Sequence, residues 1–112
     1  MDGFHLYRRE LDAMPDPEEA YRKRGAHWTF NGERFLQEVG KAKENGSGAF
    51  PGFDHAAGDP VEGEINVEAR HALVIVEGNH LLLRGVDPWD GARELFDETW
   101  AIRCPVETCG ER

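Results

Sequence analysis

Apolar residues in the second quarter of the chain recur at Phe35, Leu36, Val39 and Ala42, which places one stripe on a helix face. That pattern predicts a helix beginning near Asn31 and closing in the loop Asn45-Gly46-Ser47-Gly48. A shorter helix is signalled upstream by Asp16-Pro17-Glu18-Glu19, with Asp16 as N-cap, Pro17 at the first helical position and Glu19 able to reach back to the cap. It should run to about Arg24 and stop at Gly25, which tolerates the left-handed conformation. Ala72-Leu73-Val74-Ile75-Val76 differs, being apolar at every position without alternation, as in a strand buried on both faces of a parallel sheet. That run ends in Glu77-Gly78. Asp87-Pro88-Trp89-Asp90 repeats the cap-and-proline signal and predicts a helix to about Phe96; Thr99-Trp100-Ala101-Ile102-Arg103 then reads as a second strand. Helices alternating with strands over long crossovers predict an α/β layer structure with a mainly parallel sheet and flanking helices. The Gly-, Asp- and Pro-rich stretch from Gly46 to Gly63 is expected to be an irregular excursion over that sheet.

Composition narrows the classes. In 112 residues, 22 acids against 13 Lys and Arg leave a formal charge of −9, which argues against a nucleic-acid partner because such proteins neutralise phosphates with a basic face. Three Trp and six Phe argue against disorder. No apolar run approaches the roughly 20 residues that span a bilayer, and Met1-Asp2-Gly3-Phe4-His5 lacks the regions of a signal peptide. Cys104 and Cys109 are too few for a disulfide scaffold, and C-x4-C is not the usual zinc spacing. A cytoplasmic, reduced protein with no membrane partner is the expectation.

Three pairings of acid with histidine are candidates for chemistry: Asp2-x-x-His5, Asp54-His55 and Glu77-x-x-His80. Ligands of open parallel sheets bind beyond the carboxyl ends of strands, where Glu77 would stand, and a carboxylate there holds Mg²⁺ directly or through water. The plainer alternative is an acid facing solvent where a strand emerges. Asp2 can accept a hydroxyl proton during phosphoryl transfer, but by position alone it is equally an exposed residue on a frayed terminus. His5, His55 and His80 fit surface or core positions as well as a transition-metal site, and no H-x-x-x-H or H-E-x-x-H spacing supports the latter. Arg22, Lys23 and Arg24 suit a helix C-terminus electrostatically whether or not they meet a phosphate. Trp28, Phe30 and Phe53 fit core or loop anchors as readily as stacking platforms. A phosphate-cradling G-x-x-x-x-G-K-[ST] loop is missing from the chain. Its one Gly-Lys pair, Gly40-Lys41, is followed by Ala42, has Phe35 where the first glycine belongs, and lies in mid-helix.

Four segments in order, Met1-Asp2-Gly3-Phe4-His5-Leu6, Arg24-Gly25-Ala26-x-x-Thr29-Phe30, Phe53-Asp54-His55 with Asp59-Pro60, and Val74-Ile75-Val76-Glu77-Gly78-Asn79-x-Leu81-Leu82-Leu83, resemble the phosphoribulokinase/uridine kinase family of P-loop kinases. Within it they are most similar to bacterial sugar-transport-associated kinases and fungal uridine-kinase-like proteins, over roughly Asp2 to Val106. The resemblance implies that Asp2 is the general base on the acceptor hydroxyl, that Glu77 lies near Mg²⁺ as an indirect ligand, and that His5, Arg24, Phe53, Asp54, His55 and His80 bind the substrate. It departs at His27, Asn31 and His80, where the family usually has Pro, Asp and Tyr, and those changes bear on substrate identity. It also implies a P-loop strand and helix before Met1 and a lid with phosphate-binding arginines after Arg112. Residues 1–112 are therefore expected to be a partial kinase-like α/β domain, an incomplete P-loop kinase fold. The complete protein would use ATP and Mg²⁺ on a small-molecule hydroxyl, and this chain alone would be inactive, with an apolar sheet edge at Val74-Ile75-Val76. Sugar, nucleoside and pantothenate-like acceptors all fit. The alternatives are a non-catalytic kinase-like binding module and a metal-dependent hydrolase.

Overall fold

The computed structural model describes residues 1–110. Its helices are α1 (Arg8–Asp12), α2 (Pro17–Arg22), α3 (Gly32–Asn45) and α4 (Val106–Gly110), with 3-10 turns at Asp2–Phe4, His27–Thr29 and Trp89–Leu95. Two strands, β1 (Gly48–Asp54) and β2 (Asp59–Val67), lie between α3 and the last of those turns.

The helix boundaries follow local chemistry. The Asp16 carboxylate accepts the Glu19 amide at 3.0 Å, capping α2 behind Pro17. Glu19 does not reach back to the cap; its carboxylate takes the Arg22 guanidinium instead. α3 starts where the Asn31 side chain accepts the Arg34 amide at 3.0 Å, and stops at Gly46, whose φ of 73° only glycine adopts cheaply. The Asp87-Pro88 signal does open a helical segment, but a 3-10 turn, Trp89–Leu95, with the Asp90 carboxylate accepting the Gly85 amide at 2.9 Å.

The Gly46–Gly63 stretch is not an irregular excursion: most of it belongs to an antiparallel hairpin. The Asp54 carboxylate accepts the amides of Ala56 and Ala57, and Gly58 at φ 73° completes the turn. Gly48 to Phe50 pair with Val67 to Ile65, and Gly52 to Asp54 with Val61 to Asp59. Between them Glu62-Gly63-Glu64 bulge opposite Pro51, which has no amide to offer a ladder.

The α/β class stands, but the sheet among the described residues is this antiparallel pair and not a parallel one. Neither Ala72–Val76 nor Thr99–Arg103 is paired as a strand. A parallel strand needs a neighbour to satisfy its backbone and a layer on each face, and among the described residues neither run has a strand paired beside it. Leu73 and Ile75 are consequently 77% and 79% exposed, and Trp100 81%. The hairpin escapes this fate because its partner is one short turn away. The radius of gyration, 15.4 Å, exceeds the roughly 13 Å of a compact domain of this length for the same reason.

The core is aromatic: Phe4, Phe30, Phe35, Leu81, Trp89 and Ala92. Phe4 meets Phe35 edge-on at 5.1 Å, and Trp89 lies 5.6 Å from Phe35 while its indole donates to the His27 carbonyl at 3.1 Å. Gly32 admits Pro88 and Trp89 to the start of α3, where a Cβ would stand 2.7 Å from the Pro88 ring. Among the described residues no helix is long and apolar enough to cross a membrane.

Candidate functional site

Three segments converge on Phe30. The first, Met1–Leu6, is held beside the second of the four motif segments, Arg24–Phe30, by a short antiparallel bridge, in which the Leu6 amide donates to the Thr29 carbonyl at 2.9 Å and the Asn31 amide to the Phe4 carbonyl at 2.7 Å. Gly3 is obligatory there, because a Cβ would overlap the Pro51 carbonyl of β1. The 3-10 turn it allows leaves Asp2 exposed. Met1 reaches Glu77-Gly78, its amine donating to the Glu77 carbonyl at 2.5 Å and its side chain filling the space a Cβ on Gly78 would take. Desolvation lowers the pKa of that amine, against the opposing charges of Glu77 and Asp2, so both carboxylates lie within Coulombic range of one point. The two acids assigned to catalysis, 75 positions apart in sequence, thus flank the same turn.

His5 stacks on Phe30 with ring centroids 3.9 Å apart and faces Phe53 at 4.9 Å, while its Nδ1 lies 2.8 Å from the Asp2 carbonyl. Burial lowers its pKa, with the Arg24 charge pushing the same way and Asp2 opposing, so the ring is neutral at pH 7. Arg24 donates to the Leu6 carbonyl at 3.0 Å, lies 3.8 Å from the Asp59 carboxylate and crosses the Phe53 ring at 5.5 Å. Its Nε is buried without a partner. His80 approaches Phe30 from the other side at 5.4 Å, its Nε2 2.9 Å from the Gly25 carbonyl. His5, Arg24, Phe53 and His80 are therefore brought together.

Asp54 and His55 stand further out. The Asp54 carboxylate is occupied by the hairpin turn, and His55, exposed, meets Phe53 edge-on at 5.0 Å.

Sequence reasoning missed four contributors: Thr29, Arg34, Glu62 and Tyr7. Thr29 is wholly buried, accepting the Gly25 amide at 2.9 Å and donating to the Ala26 carbonyl at 2.8 Å, which fixes the backbone that presents Arg24 and Phe30. Its place in the Arg24–Phe30 motif was the one available signal. Arg34 grips Glu62 with two bonds of 2.8 and 2.6 Å and Glu38 with one of 2.6 Å, and Tyr7 donates to Glu62. Arg34 first and Tyr7 second hold the Glu62 carboxyl down to about 2, and the Arg34 pKa is raised chiefly by Glu62. The bulge in β2 is what aims Glu62 at α3, a register event with no sequence signal.

These residues fit the two expected ligands unequally. Mg²⁺ takes hard oxygens, commonly one or two carboxylates plus substrate phosphates, and Asp2 and Glu77 supply that donor type. ATP does not fit: its phosphates need a cradle of backbone amides and free cations, and Arg24, the cation of the aromatic cluster, is committed to Leu6 and Asp59. Among the described residues no group of three or more His, Cys, Asp or Glu could hold a metal ion.

Comparison with known proteins bears on the fold and the sequence as a whole. No family model matches the chain. An ATP-dependent kinase-like protein of Aspergillus versicolor is 41% identical over 107 residues, covering 91% of this chain and 62% of its own. A protein of Schizosaccharomyces pombe named among the uridine kinases is 44% identical over 99 residues, covering 87% of this chain and 42% of its own. Among solved structures, the P-loop kinase YFH7 of Saccharomyces cerevisiae, described as circularly permuted, superposes with a TM-score of 0.77 at 29% identity over 85% of this chain and 36% of that one. A kinase assigned to a fructose transport system of Silicibacter gives 0.75 at 31% identity, over 87% and 45%. The chain is therefore similar in sequence to proteins named as ATP-dependent and uridine kinases, and its fold matches part of the P-loop kinase structures. It spans about half the length of these relatives.

Proposed function

We propose that the protein to which this chain corresponds is an ATP-dependent kinase that transfers the γ-phosphoryl group to a hydroxyl of a small molecule, in the manner of uridine kinase and phosphoribulokinase, and that these residues supply the acceptor side. The observation that carries the reading is that His5 and His80 both pack on Phe30, with Phe53 against His5 and Arg24 over Phe53, while Met1, next to Asp2, is bonded to Glu77. Asp2, exposed on a turn fixed by Gly3, accepts the proton of the acceptor hydroxyl; Glu77 lies near Mg²⁺, through water; the neutral His5 ring, Phe53 and Arg24 orient the acceptor. Asp54 and His55 contact the acceptor from the hairpin turn. ATP supplies the phosphoryl group in the complete protein, and this chain, lacking the elements that grip it, is inactive alone. The protein works in the cytoplasm.

The test is titration of the 112-residue chain, followed by histidine NMR signals and calorimetry. A nucleoside, sugar or pantothenate-like acceptor should shift the His5 and His80 signals, while Mg-ATP should show no saturable binding. Failure of every acceptor to move either histidine sinks the acceptor-site assignment. Tight Mg-ATP binding, or release of ADP, overturns the inactivity claim.

A further inference from the structure

A cavity of about 370 Å³, within the range of small-molecule sites, opens beside the start of α3. None of the acceptor-binding residues lines it, although Phe30 borders both. Two long-range contacts give it its form. The Trp89 indole donates to the His27 carbonyl at 3.1 Å, which holds Trp89 against the His27-Trp28 segment. Gly32 meets the Asp87-Pro88-Trp89 segment so closely that a Cβ would stand 2.7 Å from the Pro88 ring and 3.0 Å from the Trp89 ring. Aromatic rings make the floor: Phe30 and Trp89 are buried and cross at 6.2 Å, while Trp28 is exposed beside them. The Gly32–Pro88 contact also brings together the residue next to each, so that the exposed side chains of Glu33 and Asp87 both border the cavity.

Among the described residues neither carboxylate pairs with a cation, and Arg24 and Arg34, on either side of this segment in sequence, are taken by Asp59 and by Glu38 and Glu62. No lysine or arginine lines the cavity, and His27 is its remaining titratable side chain. Two acids beside aromatic faces favour a ligand that is both positively charged and apolar. The faces attract the cation and lose water to the ligand's carbon body, and the carboxylates add ion pairing. An anion would be repelled. Mg²⁺ or Ca²⁺ would gain nothing from the rings, which offer no oxygen. The formal charge of −9 draws cations to the surface in general, and the cavity adds the selectivity for an apolar one. We infer that this cavity binds small organic ammonium ions, with Glu33 and Asp87 on the cation and Trp28, Phe30 and Trp89 on its apolar body.

The experiment titrates the full chain with choline and, separately, with 3,3-dimethylbutan-1-ol, its neutral carbon isostere, following the indole N–H NMR signals of the three tryptophans. Choline should shift the Trp28 and Trp89 signals saturably and leave Trp100 in place, the signals being assigned with Trp28→Phe and Trp100→Phe. The alcohol keeps the shape and loses the charge, and should bind about tenfold less tightly. The double variant Glu33→Gln, Asp87→Asn should weaken choline by about tenfold and leave the alcohol unchanged; a urea midpoint close to wild type shows that it folds, and the wild-type comparison of the two probes stands without it. Equal affinity for choline and the alcohol overturns the inference, as does the absence of a saturable choline shift at Trp28 and Trp89. An unchanged choline affinity in the folded double variant, or displacement of choline by equimolar Mg²⁺, overturns it too.

Discussion

The clearest test of the core that supports the site is Trp89→Phe. Trp89 is 1% exposed, lies 5.6 to 6.2 Å from the rings of Phe35, His80 and Phe30, and its indole N–H satisfies the His27 carbonyl at 3.1 Å. Phenylalanine keeps the apolar ring but removes that donor and part of the volume. A carbonyl left unsatisfied costs roughly 1–3 kcal/mol, and the small residual cavity adds about 1 kcal/mol, so the loss should be roughly 2–4 kcal/mol. With a urea dependence of about 2 kcal/mol per molar, the unfolding midpoint followed by circular dichroism should fall by about 1–2 M. Trp100→Phe is the control: Trp100 is 81% exposed and its indole bonds only to the nearby Glu98, so its effect should stay within about 0.5 kcal/mol. The His80 NMR signals should move in the first variant and not in the second. Equal midpoint shifts in the two variants, or none in Trp89→Phe, would refute the assignment of Trp89 as the keystone between α3 and the His27–Thr29 turn.

Three further outcomes follow from the same contacts. Glu62, lowered to about 2 by Arg34 and then Tyr7, adds stability that is present above its ordinary carboxylate value and lost as pH falls toward 2; because its side chain is 56% exposed, screening holds the effect below about 1 kcal/mol, and Glu62→Gln should flatten the melting temperature across that acid window. Gly3→Ala should cost about 3 kcal/mol by driving a methyl group into the Pro51 carbonyl, with loss of the Leu6 and Asn31 amide protection in hydrogen exchange; an unchanged exchange pattern would show that the Asp2 turn does not dock on β1. In histidine NMR titrations His5 should titrate below its ordinary value, and Asp2→Asn should lower it further because the Asp2 charge opposes the shift; an upward change would contradict the placement of Asp2 beside His5.

Much of this was legible where the determining interaction is short in sequence. Asp16, Pro17, Asn31 and Gly46 mark helix ends because capping involves residues three positions apart. The turn at Asp54-Gly58 is equally local, yet its hairpin was missed: β1 and β2 carry Gly and Pro where strands usually carry β-branched residues, and Pro51 opposes a bulge. Ala72–Val76 errs the other way, since an apolar run states a need for burial without supplying the neighbours that satisfy it.

The site divides along the same line. Its residue types and their order, from Asp2 to His80, are properties of the sequence, and they carried the resemblance to kinases. That Asp2 and Glu77 flank one turn, that Phe30 is the surface on which His5 and His80 meet, and that Arg24 lies over Phe53 came only from the tertiary structure. Such contacts join residues 25 to 76 positions apart. Nothing in the local backbone encodes them. They are set by how the aromatic side chains of Phe4, Phe35 and Trp89 fill one core, and that packing exists only once the chain has folded around it.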